Sequence, residues 1–156
     1  MTAIFGIFRY VYNLILSGLT FPQKYHGKMV RMEDGVTFHI FRHMHLKSGN
    51  GYSNGAVFIV RFKFRKFSHK TNMRLSKIPI LLIAGFPGFM DKIWMIDWKT
   101  DCWQGVYQFE NVGAIEKYKK SFILKIMNKR AQSDTISYLI LPDQAFNVYL
   151  DDIISS

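Results

Sequence analysis

The chain has 156 residues, 49% of them hydrophobic and 16% aromatic, which excludes a disordered chain and is enough for one domain with a core plus an extension. Its 21 Lys and Arg against 11 Asp and Glu give a net charge of +10. Because these residues are spread in short groups, we expect a solvated surface with a mild attraction to anionic surfaces, and no nucleic-acid motif accompanies them. The single cysteine, Cys102, excludes an intrachain disulfide and is typical of a reducing compartment such as the cytoplasm.

The first predicted element is an apolar helix from Ile4 to Leu19. With about 16 residues, Arg9 among them, the segment is short for a membrane span, which needs roughly 20 residues. Its few polar residues lie on one narrow stripe, so the helix has to bury most of its surface. Three locations remain open: a membrane interface in which Arg9 reaches the headgroups, packing against protein, and a cleaved signal sequence.

The next predicted element is a β-hairpin that turns at Glu33–Gly35 and continues in a strand from Val36 to Leu46. Because side chains alternate along a strand, His39, His43 and His45 are predicted to share one face. Two residues along a strand span about 6.6 Å, so His43 and His45 have a metal-ligand spacing, but a catalytic zinc site needs a third ligand. We therefore predict a polar strand face and no metal, with a metal at His43 and His45 or a pH-sensing cluster as alternatives.

A loop rich in Gly, Asn and Ser over residues 47–55 is the clearest boundary in the chain. It predicts an N-terminal extension of residues 1–55, made of the helix and the hairpin, and a main domain of residues 56–156.

The main domain has predicted elements in the order β-α-β-β-α-β. The strands are predicted over residues 56–65, 90–98, 103–110 and 134–142. Ser68 is predicted to cap the first helix, Pro79 to begin a second short one and Asn111 to cap a helix from Val112 to Asn128, and a short helix ends the chain. Two split βαβ units of this kind predict an α+β, ferredoxin-like antiparallel sheet with both helices on one face. The other face would be uncovered in a monomer, and a dimer would bury it.

Two features of the predicted strands concern single residues. Gly105 lies in mid-strand, where glycine usually marks a bulge or the close approach of another group. Lys92 and Arg61 are expected on solvated faces, as charged strand residues usually are.

Several motifs resemble the dimeric α+β barrel superfamily, and within it the small monooxygenases related to antibiotic-biosynthesis monooxygenases. Those proteins carry a Pro-Gly-Phe or Pro-Gly-Leu turn, a strand of the Lys-x-Trp type, and a Gly-Val-Tyr or Gly-Ile-Tyr strand that ends in an acidic or polar helix cap. The corresponding residues are Pro87, Gly88 and Phe89; Lys92 and Trp94; Gly105, Val106 and Tyr107; and Glu110 and Asn111. The resemblance covers about residues 56–142.

The resemblance implies a homodimer whose sheets close into a barrel, with an apolar pocket in each subunit between the sheet and the helices. Some members oxidise electron-rich aromatic molecules with O2 and no bound cofactor, which implies the same chemistry here on a hydrophobic or aromatic small molecule. Members that degrade haem use an Asn on the first strand and a His on the second helix, and this chain has neither at those places.

This function suggests a set of candidate site residues. Polar groups that orient and deprotonate a substrate would be His69, Tyr107 and Arg61. The candidate substrate-binding residues are Trp94, Trp98, Tyr138 and Phe62. The alternative function is a non-catalytic protein of the same fold that binds an apolar ligand or partner and is held at an anionic membrane surface by its N-terminal helix.

Overall fold

A computed structural model describes Arg9, Tyr12 and residues 16–47 and 55–155. Most of the predicted N-terminal helix and of the loop over residues 47–55 therefore lies outside the described residues. Leu19, the predicted last residue of that helix, belongs instead to a short strand. None of the helices in the described part combines the length and the apolar character that crossing a bilayer requires.

The described residues form one antiparallel sheet of seven strands. The strands are β1 (Leu19–Thr20), β2 (Met29–Arg31), β3 (Thr37–Leu46), β4 (Ala56–Phe62), β5 (Phe89–Asp97), β6 (Cys102–Phe109) and β7 (Ser137–Leu141). They lie in the order β1-β3-β5-β6-β4-β7, and β2 pairs with β3. Because β4 to β7 have the ferredoxin-like arrangement, the predicted fold class is confirmed.

Helices connect the strands at the predicted places. They are α1 (His69–Leu75), α2 (Ile80–Ala84), α3 (Val112–Lys119), α4 (Phe122–Arg130) and α5 (Phe146–Ser155), with a 3₁₀ turn at Ser133–Thr135. Ser68 caps α1 by accepting a hydrogen bond from the backbone N–H of Thr71 at 3.2 Å, and Asn111 caps α3 through Ala114 at 2.8 Å. Both predicted caps are confirmed.

The prediction of a single helix over residues 112–128 is wrong. Ser121 begins a new helix, since its hydroxyl accepts a hydrogen bond from the backbone N–H of Leu124 at 3.3 Å. Beyond the break, Phe122 and Ile126 are 60% and 52% exposed, although their spacing from the buried Ile115 and Tyr118 would put them on the same face of one continuous helix.

The predicted hairpin of β2 and β3 is confirmed, and it extends the main sheet. β3 pairs with the edge of β5 from His39 opposite Ile96 to His45 opposite Asp91. The hairpin is thus part of the same sheet as β4 to β7, and the division of the chain at residue 55 stays a prediction.

A β-bulge in β3 separates the three histidines. The register with β5 shifts between Ile40 and Arg42, and one extra residue reverses the alternation of side chains beyond it. Ile40 and Tyr25 belong to one core cluster, and the ring of His43 lies 5.6 Å from that of Tyr25. His39, next to Ile40, therefore points to the opposite face. The prediction that all three histidines share one face is wrong.

One face of the sheet packs against the four helices α1 to α4 and is rich in aromatic rings. The residues of this core that concern the site are Phe58, Val60, Phe62, Trp94, Trp103, Tyr107, Phe109 and Tyr118. The rings of Phe58, Tyr107, Phe109 and Tyr118 meet at centroid distances of 5.2–6.2 Å in stacked, tilted or edge-on contacts, which are geometries that aromatic pairs prefer.

The opposite face is covered within the same chain. Phe146 and Leu150 of α5 are buried against strand residues such as Ile59 and Ile93, and Tyr25 packs beside them. The expectation that this face is uncovered in a monomer is therefore wrong, because the apolar side of α5 supplies the second layer that an apolar sheet face needs. The homodimer stays a prediction.

Candidate active site

A small cavity lies on the aromatic face, between the sheet and the helices. Its volume is about 40 Å³, which is room for a few water molecules. The residues that line it include Phe62, Trp94, Trp103, Tyr107, Met127 and Lys92. Most of these side chains are apolar, so the amine of Lys92 lies in an environment that disfavours its charged form.

Lys92 is a buried ionisable residue in the wall of this cavity. Its side chain is 1% exposed, and its Nζ lies 4.3 Å from the ring centroid of Trp94 and 4.4 Å from that of Tyr107. Among the ion pairs of the described residues, none includes Lys92. The expectation that Lys92 lies on a solvated face is wrong, because β5 turns it to the same side as Trp94.

Burial lowers the pKa of Lys92 well below its usual value, and the positive charge of Arg42 adds to this. The two rings act in the other direction, since each cation–π contact is worth up to about 2 kcal/mol for the ammonium form. Burial is the larger effect, so it decides the direction of the shift, which is toward the neutral amine.

Gly105 makes the space in which these side chains lie. A Cβ at this position would be 2.9 Å from Cε2 of Tyr107 and 3.5 Å from Cε of Lys92. The residue pairs in regular register with both Val60 and Trp94. Of the two predicted explanations for this glycine, close approach is confirmed and a bulge is not.

Tyr107 faces the cavity as a neutral phenol. Burial raises the pKa of Tyr107 well above its usual value, and the nearby Tyr118 raises it further. The two hydroxyl oxygens are 3.5 Å apart, and burial also raises the pKa of Tyr118. Tyr107 can therefore donate a hydrogen bond to an oxygen in the cavity, but it is a poor base at neutral pH.

The structure brings three of the seven predicted site residues to the cavity: Phe62, Trp94 and Tyr107. His69 lies one layer further out, where the indole N–H of Trp103 donates to its Nδ1 at 3.0 Å. Its Nε2 is 2.7 Å from Oδ1 of Asp101. His69 thus holds a wall of the cavity in place and does not line it.

The other three predicted site residues lie away from the cavity. Arg61 extends on the opposite face of the sheet, where its Nε donates to Oε1 of Gln104 at 3.0 Å and its guanidinium pairs with Asp34. Trp98 is 51% exposed in the turn after β5, and Tyr138 is 38% exposed on β7.

His43 and His45, which both lie after the bulge in β3, contact the same carboxylate. His43 Nε2 and His45 Nδ1 lie 2.9 Å and 3.0 Å from the same oxygen of Asp91. The hydrogen bond to Asp91 raises the pKa of His45. Within residues 16–47 and 55–155, no group of three or more side chains of metal-binding type is arranged to hold an ion.

An open apolar groove adjoins the cavity between α1, α2 and α4. Its volume is about 310 Å³, and it is lined by Leu75, Ile78, Pro79, Leu82, Ile123, Ile126, Met127 and Arg130. Pro79, Met127 and Arg130 line both spaces. The cavity and the groove are therefore neighbours separated by three side chains.

Comparison with models of known protein families identifies the family of this chain. Residues 57–148 match a family model described as "Putative mono-oxygenase ydhR", which covers more than half of the chain. The chain belongs to the ydhR family. The resemblance drawn from the sequence motifs is thereby confirmed. No curated protein sequence matches this ydhR-family chain.

Solved structures similar to this ydhR-family chain share its fold at low sequence identity. One is an uncharacterised ferredoxin-fold protein of Listeria monocytogenes related to antibiotic biosynthesis monooxygenases, with a TM-score of 0.52, 13% identity and coverage of 88% of this chain and 89% of that one. A monooxygenase-like protein of Listeria innocua has a TM-score of 0.52, 17% identity and coverage of 74% and 68%. A heme-degrading enzyme of Listeria monocytogenes has a TM-score of 0.52, 14% identity and coverage of 81% and 97%.

The cavity of this chain does not fit a haem. No histidine is among the described residues that line it, and its volume is about 40 Å³, far below that of a drug-sized pocket at roughly 300 Å³ or more. No step is therefore assigned to haem.

Lys92 and Trp103 are the site residues that sequence reasoning missed. The signal for Lys92 was its spacing along the strand, because Lys92, Trp94 and Ile96 are two residues apart and side chains at that spacing share one face. Its charge was given more weight than its position. For Trp103 there was a weaker signal, since it follows the turn at the start of a strand whose inward face also carries Gly105 and Tyr107.

Proposed function

We propose that this protein is a cofactor-independent monooxygenase that acts on a hydrophobic aromatic molecule carrying an acidic hydroxyl group. The observation that carries the proposal is the buried amine of Lys92 between the rings of Trp94 and Tyr107, which has no ion-pair partner among the described residues. A neutral amine in a dry site is a base, and a phenol that loses its proton becomes electron-rich enough to reduce O2.

The proposed reaction balances with O2 as its oxidant. Lys92 removes the phenol proton, and the phenolate combines with O2 to form a peroxide anion on a ring carbon. The terminal oxygen of this peroxide takes the proton back from the Lys92 ammonium group. Loss of that carbon's hydrogen as a proton breaks the O–O bond and forms a second carbonyl group. The departing hydroxide takes a proton and leaves as water, so one oxygen atom enters the quinone product and one enters water.

The neighbouring side chains have distinct proposed roles. Tyr107 donates a hydrogen bond to the oxygen anion as it forms, for which its raised pKa keeps it protonated. Because the cavity holds only about 40 Å³, it would take the reacting hydroxyl end of the substrate beside Trp94 and Trp103, and the larger groove beside it would take the apolar ring system. Entry requires the side chain of Met127, which lies between the two spaces, to change rotamer, as flexible methionines readily do.

The test is O2 consumption by the purified full-length chain with a panel of naphthalenols and anthracenols, without added metal, flavin or haem. We expect a quinone product that contains one oxygen atom from labelled O2. The Lys92→Met variant should lose about 10²–10⁴-fold in kcat, the range for a general base.

Lys99→Met is the matched control, because Lys99 is exposed in the turn after β5 and the variant has the same change in charge. We expect it to keep wild-type turnover. Equal activity of Lys92→Met and Lys99→Met would remove Lys92 from the reaction.

The second candidate is a non-catalytic protein that binds an apolar ligand at a membrane surface. What favours it is the small size of the cavity, about 40 Å³, beside the larger groove of about 310 Å³. It predicts ligand binding in the groove with no O2 consumption for any member of the panel, and binding that is unaffected by Lys92→Met.

A further inference from the structure

We propose that the helical layer of this protein is a docking surface for an anionic lipid bilayer. The layer is formed by residues 65–85 and 111–130, which hold eleven of the chain's 21 Lys and Arg but only one of its 11 Asp and Glu, Glu116. Their net charge of +10 equals that of the whole chain. Basic residues that are scattered along the sequence are therefore collected by the fold on one side of the sheet.

The exposed apolar residues of this layer lie among those charges. Ile78, Leu82 and Ile126 line the open groove and are 74%, 49% and 52% exposed. Ile78 follows Lys77, and Ile126 follows Lys125. Apolar side chains surrounded by Lys and Arg are the composition of surfaces that bind at a bilayer interface, where the apolar groups enter the headgroup region and the basic groups meet anionic lipid.

A second, basic pocket adjoins the groove. It has a volume of about 200 Å³ and is lined by Arg65, Lys66, Phe67, Lys129 and Arg130, and Arg130 also lines the groove. Phe67 is 67% exposed and has a φ of 73°, a conformation that non-glycine residues rarely adopt. The four basic side chains can bind the phosphate of an anionic lipid. The exposed ring of Phe67 can contact the first carbons of its acyl chains.

This surface is distinct from the N-terminal helix, which was the membrane-binding element suggested by the sequence. In the docked orientation, the opening of the groove next to Ile78 and Ile126 would face the lipid. An apolar molecule dissolved in the bilayer would reach the groove without crossing water. The binding itself does not depend on any reaction in the cavity.

The test is sedimentation of the full-length chain with vesicles of phosphatidylcholine, with or without phosphatidylglycerol. We expect binding to the anionic vesicles that weakens with salt. Each basic residue near a bilayer contributes a factor of about five in affinity, so Lys125→Gln with Lys129→Gln should lower the partition coefficient about 25-fold. The control pair Lys28→Gln with Lys99→Gln has the same net charge but lies off this layer, and it should bind within a few-fold of wild type.

The apolar half of the surface has its own test. Ile78→Ser with Ile126→Ser should lower binding by about tenfold or more for each side chain that enters the interface, whereas Met29→Ser with Val148→Ser, also at exposed apolar positions, should have little effect. Equal weakening by both charge pairs, or wild-type binding by every variant of the layer, would overturn the proposal. The second result would assign the binding to the N-terminal segment, and equal binding to uncharged vesicles would also contradict it.

Discussion

An amine that is buried between two aromatic rings changes how the stability of the fold depends on pH. In the unfolded chain Lys92 holds its proton up to its usual pKa, whereas burial lowers the pKa of Lys92 in the folded chain. Between these two values the unfolded state binds more protons, so the free energy of unfolding rises with pH by up to about 1.4 kcal/mol per unit. This gain in stability is complete above the pKa that Lys92 has in the unfolded chain. It is lost as the pH falls toward the lower pKa that Lys92 has in the folded chain.

We therefore expect Lys92→Met to remove this rise, and to be more stable than wild type at neutral pH. Urea unfolding at several pH values between neutral and alkaline measures the difference in slope. Lys99→Met, which alters an exposed lysine, should keep the slope of the wild type. Parallel wild-type and Lys92→Met profiles would show that Lys92 is already charged in the folded protein.

Single residues are also where the sequence was least informative. Trp94 was predicted as a substrate-binding residue because its aromatic ring suits an apolar pocket, and Tyr107 as a polar group of the site, and both line the cavity. Arg61 was chosen for its charge, but strand parity puts it on the opposite face from Phe62. Spacing along a strand was a better guide to the site than the chemistry of the side chain.

At the scale of elements, the helix caps decide where the chain changes direction. Ser121 Oγ accepts from the backbone N–H of Leu124 at 3.3 Å and donates to the carbonyl of Tyr118 at 2.6 Å. We expect Ser121→Ala to lower the free energy of unfolding by about 1 kcal/mol, the usual cost of an N-cap. Thermal or urea unfolding measures it, and Ser133→Ala, at an exposed position, should change stability by less than about 0.5 kcal/mol.

The elements were largely predictable from the sequence because Ser68, Pro79 and Asn111 mark helix starts with a local mechanism. The break at Ser121 was missed because the apolar spacing of Ile115 and Tyr118 continues across it. The bulge in β3 was missed for a different reason. It is defined by the register with β5, which is a contact between distant parts of the chain and leaves no local pattern.

At the scale of the whole molecule, α5 forms the second cover of the sheet. Leu150 is fully buried in this layer, whereas Val148, on the same helix, is 55% exposed. Leu150→Ala should cost about 2–5 kcal/mol, as a large-to-small change in a core does. Val148→Ala should cost less than about 0.5 kcal/mol. Similar costs for the two variants, measured by urea unfolding, would mean that α5 does not pack on the sheet.

The covered face also bears on the homodimer. A dimer made by stacking bare sheet faces is incompatible with α5 in its present position, since Phe146 and Leu150 occupy that surface. The β-α-β-β-α-β order was enough to predict the sheet and the helices on its first face. It was not enough to predict what covers the second, because that depends on segments at both ends of the chain.

The protonation state of Lys92 decides whether this residue can act as the base of the proposed reaction. Heteronuclear NMR of the full-length chain, with lysine labelled at Cε and Nζ and Lys92→Met used for assignment, gives its titration curve. We expect the Lys92 signal to titrate well below those of the exposed lysines. A signal that titrates together with the exposed lysines would contradict this expectation, because an ammonium group in the cavity cannot act as the base.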